Sequence, residues 1–106
     1  MLVIPDPGIL AAVIQSFRDR DTQAFFNGEP VRRFQAFRDQ ARRKLDALDE
    51  APRVEDLREP PGNRLERLAG GRRGQWSIRV NQQYRICFVW DEGDAGPSLV
   101  EITDYH

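Results

Sequence analysis

The chain has 106 residues, 40% of them apolar and 31% charged, which fits one globular domain with a modest core and leaves no room for a second catalytic domain. A single cysteine excludes an internal disulfide framework, and one cysteine with one histidine cannot supply the usual ligand set of a structural zinc site. The formal net charge of −1 hides an asymmetry: residues 1–85 hold all 16 Lys and Arg against 12 acids, a net of +4, whereas residues 86–106 hold five acids and no Lys or Arg. From Arg64 to Arg85 there are six arginines and one acid, a density that suits a phosphate-binding face.

Residues 1–12, MLVIPDPGILAA, are expected to be a leader, either disordered or the product of a misplaced start codon. The apolar run Leu2–Ile4 is too short to span a membrane, and no basic segment precedes it as in a signal peptide. The domain is expected to occupy residues 13–106 and to be cytoplasmic. Val13 to Phe17 alternates apolar and polar and reads as a short strand. Asp19 or Asp21 caps a short helical segment running to Phe26, which Asn27-Gly28 ends. The clearest helix is expected from about Pro30 to Asp49, with Val31, Phe34, Phe37, Ala41, Leu45 and Leu48 on one stripe. Arg32, Arg33, Arg38, Arg42 and Arg43 fall mostly outside that stripe, facing solvent, RNA or a partner, and Asp39 with Arg43 fits an i,i+4 pair. Pro52 breaks the helix, Val54 to Leu57 adds one turn, and Glu59 to Asn63 forms a rigid loop.

Strands then follow in series. A short one lies between Leu65 and Leu68, and Gly70 to Gly74 is a basic turn. Trp76 to Val80 alternates, with Trp76, Ile78 and Val80 on one face and Ser77 and Arg79 on the other. After the Asn81-Gln82-Gln83 turn, Tyr84 to Trp90 places Tyr84, Ile86, Phe88 and Trp90 on one face and Arg85, Cys87 and Val89 on the other. Asp91 to Pro97 is a hairpin loop and Leu99 to Thr103 the last strand. The fold class is therefore α+β: helices packed on a small antiparallel meander.

The basic strands and the lone histidine point to phosphate chemistry. RNA cleavage can use the 2′-hydroxyl as an internal nucleophile; it then needs a base, a cation for the phosphate and an acid for the leaving oxygen. Arg85, in mid-strand opposite the aromatic row, fits the cation. His106 fits the proton carrier, with an ordinary imidazole pKa near ~6.5. Asp104 fits a base or an orienting group, and Tyr105 a stacking or proton-donating one. Each also has a plainer role: Arg85 as an ion-pair partner of Asp104, Cys87, Trp76 and Trp90 as packing, and His106 as a frayed end.

The ordered combination of PPGNRLE (60–66), GQWSIRVNQQYRICF (74–88) and the terminal DYH (104–106), with VIQSF at the start, resembles the HigB branch of the RelE/ParE toxin superfamily. The resemblance runs from about Val13 to the end. It implies a RelE-like fold and a type II toxin that cuts mRNA on the ribosome, an mRNA interferase neutralised by a HigA-like helix-turn-helix antitoxin. No metal or organic cofactor is implied. It assigns catalysis to Arg85, Asp104, Tyr105 and His106, and leaves Arg67, Arg72, Arg73 and Arg79 as RNA contacts. Some HigB toxins also use a His and a Lys before the glycine turn; Glu66 and Ala69 stand there in this chain. Two other activities fit the same fold: gyrase poisoning, as in the ParE branch, and antitoxin binding without catalysis.

Overall fold

A computed structural model describes residues 13–104, so the leader, Tyr105 and His106 lie outside the described residues. Asp19 begins helix α1 (Arg20–Phe26): its backbone is extended and its carboxylate accepts from the Thr22 N–H. Asn27 and Gly28 end the helix, Gly28 at a φ of +93° that favours glycine. Arg42, from the next helix, donates to the Phe26 carbonyl at 2.9 Å and to the Phe25 carbonyl at 3.3 Å, the latter also accepting from the Gly28 N–H at 3.0 Å.

The single helix expected from Pro30 to Asp49 is two pieces. Arg32–Phe37 is a 3-10 helix, and α2 (Arg38–Glu50) starts after Phe37, whose φ of −131° interrupts the helical path. The apolar spacing explains the split. Val31, Phe34 and Phe37 recur at strict steps of three, the 3-10 period, whereas Ala41, Leu45 and Leu48 keep the α-helical rhythm. Two of the helix arginines are structural: Arg33 pairs with Asp19 at 3.2 Å and Asp21 at 3.0 Å, and Arg42 caps α1. The i,i+4 ion pair seen on α2 is Arg42 with Asp46 at 3.8 Å, in place of the expected Asp39 with Arg43.

A further 3-10 turn, Val54–Arg58, leads into the Pro60-Pro61-Gly62-Asn63 loop. Asn63 is fully buried; its Nδ2 donates to the Leu57 and Glu59 carbonyls at 3.0 and 3.1 Å, and its Oδ1 accepts from Lys44 Nζ. Burial, reinforced by neighbouring Arg43, holds the Lys44 ammonium below its ordinary pKa.

The sheet is the expected antiparallel meander of β1 (Glu66–Arg67), β2 (Trp76–Arg79), β3 (Arg85–Val89) and β4 (Ser98–Thr103), in that spatial order. Asn81 makes the β2–β3 turn by accepting from the Gln83 and Tyr84 N–H groups at 2.8 and 2.6 Å. A register shift between Cys87 and Val89 marks a bulge, where Leu99 adopts a left-handed φ of +51°.

The expected first strand, Val13 to Phe17, is reduced to one parallel bridge between Phe17 and Val100, with flanking bonds from Gln15 N to the Pro97 carbonyl and from Arg18 N to the Val100 carbonyl. It covers the β4 edge, which protects that edge from foreign pairing. The close approach needs Gly96, where a Cβ would stand 2.1 Å from the Val13 carbonyl oxygen.

The core lies between helices and sheet. Phe34, Ala41, Leu45 and Leu48 meet Ile78, Ile86, Phe88, Val100 and Ile102, all essentially excluded from water. Phe37 stacks on Tyr84 with ring centroids 4.4 Å apart. Buried Thr22 accepts from the Ile102 N–H at 3.0 Å, tying α1 to β4. The other sheet face is left to the charged residues.

Candidate active site

Because side chains alternate along a strand, the residues facing away from the helices are Glu66, Ser77, Arg79, Arg85, Cys87, Glu101 and Thr103. Arg79 and Arg85 are directly opposed partners, so two guanidinium groups leave the same face side by side. Like charges in that position destabilise a sheet unless something else offsets them. Part of the offset is internal. Arg79 Nε donates to the Asn81 carbonyl at 3.0 Å. Arg85 Nε donates to Ser77 Oγ at 2.9 Å, its Nη2 donates to the Arg64 carbonyl at 2.7 Å, and Glu66 Oε1 stands 3.9 Å from Nη2.

The Arg64 carbonyl is aimed by its loop. Arg64 has a φ of 46° and a ψ of 55°, a left-handed conformation reached immediately after buried Asn63. The three arginines, Arg64, Arg79 and Arg85, line a cleft of about 370 Å³ with Glu66, Asn81, Gln82 and Gln83. Asp104 reaches its margin, accepting from Gln83 Nε2 at 2.8 Å. Arg85, Arg79 and Asp104 are thus brought to one place; Tyr105 and His106 lie outside the described residues.

The remaining arginines are distributed differently. Arg72 is on the same side of the sheet but bridges to Glu101 at 3.1 Å and to Gln75 Oε1 at 3.1 Å, with Arg18 3.9 Å from the same Glu101 carboxylate. Arg73 is exposed beside it. Arg67 departs from the expected grouping. As the neighbour of Glu66 on β1 it points to the opposite face, where its guanidinium lies 5.0 Å above the Trp76 ring. There it lines a larger cleft of about 550 Å³ with Arg53, Trp76 and Trp90, but Glu55, Asp91, Glu92 and Asp94 give that cleft the wrong sign for a phosphate.

Cys87 lies buried at the centre of the charged face. Burial pushes its thiol up to about 11, against the opposing pull of Arg72, so it stays neutral and unreactive. Sequence reasoning missed Arg64, Ser77 and Gln83. Ser77 shares the Arg79 side of β2, which was a readable signal; the reach of Arg85 back to the Arg64 carbonyl, 21 residues away, had none.

Helices on one face of a four-stranded meander, with an arginine-lined cleft on the other, define a small α+β domain. Comparison with known proteins agrees on fold and family. Residues 15–106 match the HigB-like toxin family, described as the RelE-like toxin of the type II toxin-antitoxin system HigB. Toxin HigB-1 of Vibrio cholerae is 42% identical over 81 residues, covering 74% of this chain and 85% of that protein. Endoribonuclease HigB of Proteus vulgaris is 30% identical over 99 residues, covering 89% of this chain and all of that protein. A solved YoeB-YefM complex from Staphylococcus aureus contains a chain of the same fold, with a TM-score of 0.52, 16% identity, and coverage of 90% of this chain and 99% of that one. The chain belongs to the HigB-like toxin family, and its partner within such a system is an antitoxin. Among the described residues, no helix is long and apolar enough to cross a membrane.

Proposed function

We propose that the chain is a ribosome-dependent endoribonuclease that cuts mRNA in the cytoplasm, stops translation and is neutralised by a HigA-like helix-turn-helix antitoxin. The observation that carries this reading is the direct opposition of Arg79 and Arg85 beside Arg64 in one cleft, an arrangement that a phosphate would stabilise. RNA brings its own nucleophile, the 2′-hydroxyl. Arg85 neutralises the charge that builds on the phosphate, where a positioned donor is worth roughly 2–4 kcal/mol. His106 and Asp104 handle protons, and Tyr105 positions the base. Arg79, Arg64 and Arg73 contact the flanking backbone, and Arg72 extends the basic surface along the strand.

The experiment is induction of the chain in cells, with new mRNA 5′ ends mapped against the reading frame. Ends that keep a fixed phase with the codons, and that disappear when the antitoxin is co-expressed, are the expected result. Absence of new ends, with gyrase-dependent DNA breaks in their place, would refute the nuclease reading and favour a ParE-like activity.

A further inference from the structure

We propose that Lys44 is a positioning residue for Arg85: it holds Asn63 so that the next residue, Arg64, turns its carbonyl onto the Arg85 guanidinium. The consequence for cleavage rests on the endoribonuclease reading above; the structural link does not. Lys44 is the chain's single lysine, against 15 arginines. It leaves α2 half-buried, and its Nζ donates to Oδ1 of the fully buried Asn63. Burial, and after it Arg43, acts against its charge, so a cation is kept where the surroundings disfavour one.

The Asn63 amide explains the cation. Its Nδ2 uses both donors on the Leu57 and Glu59 carbonyls, at 3.0 and 3.1 Å, which leaves Oδ1 as a buried acceptor that needs a donor. An ammonium has donors and no acceptor. A flipped amide would set Nδ2 against the ammonium and Oδ1 against two carbonyl oxygens, so Lys44 permits one orientation. A guanidinium would bring a planar fork to a single oxygen, whereas the ammonium delivers a point donor on a flexible stem. Arg64 follows at a φ of 46° and a ψ of 55°, a left-handed conformation uncommon for a residue with a side chain, so it has to be held. In that conformation its N–H donates to the Pro61 carbonyl at 3.1 Å, and its own carbonyl accepts from Arg85 Nη2 at 2.7 Å. The bond to Arg85 is exposed and competes with water, while Asn63 is closed off from it. The anchor therefore lies inside and the contact outside, and a donor in the helix layer sets an arginine on the opposite face of the sheet.

The test follows two N–H groups by hydrogen exchange in the full chain and in Lys44→Met, which keeps an unbranched stem and loses the donor. Arg85 Nε–H, bonded to Ser77 Oγ at 2.9 Å, reports on the guanidinium; the Ile102 N–H, bonded to Thr22 Oγ1 at 3.0 Å, reports on the core. In the Met variant Arg85 Nε–H should exchange about tenfold faster or more, with Ile102 within about threefold of the full chain. Cleavage of mRNA on translating ribosomes should fall about tenfold or more, as for a misplaced catalytic group. Lys44→Gln, whose stem is a bond shorter, should fall short of Asn63 and give the same result, which decides the matter if the Met variant does not fold. Arg85 Nε–H exchange within about threefold of the full chain in the folded variant would overturn the proposal. So would equal acceleration at both N–H groups, which is what a lysine acting on overall stability alone would give. Failure of the full chain to cut RNA would remove the endoribonuclease reading, while the exchange comparison still decides whether Lys44 positions Arg85.

Discussion

Replacing Arg85 with Ala probes the cleft most directly. The side chain is only 17% exposed and is held from two sides, by Ser77 Oγ at 2.9 Å and the Arg64 carbonyl at 2.7 Å. Of the five guanidinium N–H donors, these bonds use two, one on Nε and one on Nη2. The three left include both on Nη1, enough to fork onto two phosphate oxygens. The Ala variant should therefore lose about two to three orders of magnitude in cleavage, the equivalent of roughly 2–4 kcal/mol in the transition state. Stability should fall less. Two hydrogen bonds disappear, the one to Ser77 partly buried and the one to the Arg64 carbonyl exposed, at about 1 kcal/mol or less each, while repulsion with the opposed Arg79 is relieved, so a net loss of about 1 kcal/mol is expected. Arg85→Lys should restore only part of the activity, because one ammonium cannot serve Ser77, Arg64 and a forked phosphate together. The assay is in-frame cleavage on translating ribosomes, beside a thermal melt and an antitoxin-binding measurement. An Ala variant that cleaves at the full rate but melts early would show that Arg85 only ties Ser77 to the loop.

Other outcomes follow from the sequence and the structure together. Removing His106 alone should change stability by less than about 0.5 kcal/mol and lower cleavage by on the order of 10²-fold, read by urea unfolding and the ribosome assay; equal cleavage would remove it from the mechanism. Asn63→Ala strands the Leu57 and Glu59 carbonyls and should cost about 2–3 kcal/mol in urea unfolding, with activity falling as Arg64 loses its place. Thr22→Val leaves the buried Ile102 N–H without its acceptor and should cost about 1–3 kcal/mol, while cleavage by the folded chain is unchanged. Cys87 has a folded pKa of about 11 against an ordinary 9.0, so between those values the unfolded chain binds fewer protons; stability should fall as pH rises through that window, and thiol reagents should label Cys87 only on unfolding.

Much of the fold was legible because local chemistry specified it. Alternation fixed the faces of β2 and β3, Asp19 or Asp21 marked the start of α1, where Asp19 is the cap, and Asn27-Gly28 marked its end. The joint at Phe37 was also written in the sequence, as two apolar steps of three before the steps lengthen, but a stripe drawn through both halves reads as one helix. The N-terminal segment was only half legible. Its alternation marked extended chain, but its pairing with β4 is parallel and depends on residues more than 80 positions away, with Gly96 permitting the contact. Pairing partners of that kind are set by tertiary packing, which no local pattern encodes.

The site divides along the same line. That Arg85 leaves the sheet opposite the aromatic row follows from counting residues, and so does its alignment with Arg79. Its anchors do not follow from counting. The PPGNRLE stretch reads as a rigid loop running into a strand, yet each part of it acts on the cleft. Asn63 fixes the loop against α2 through Lys44, Arg64 turns left-handed and gives its carbonyl to Arg85, and Glu66 stands in the cleft itself. Arg67, one residue later, points the other way and serves Trp76 instead. A one-residue shift in β1 would exchange Glu66 and Arg67, putting a fourth guanidinium into the cleft and withdrawing the carboxylate. The buried Asn63 hydrogen bonds resist that shift. The loop therefore acts as a register pin as well as a turn, and it decides whether β1 turns a carboxylate or a fourth guanidinium into the cleft.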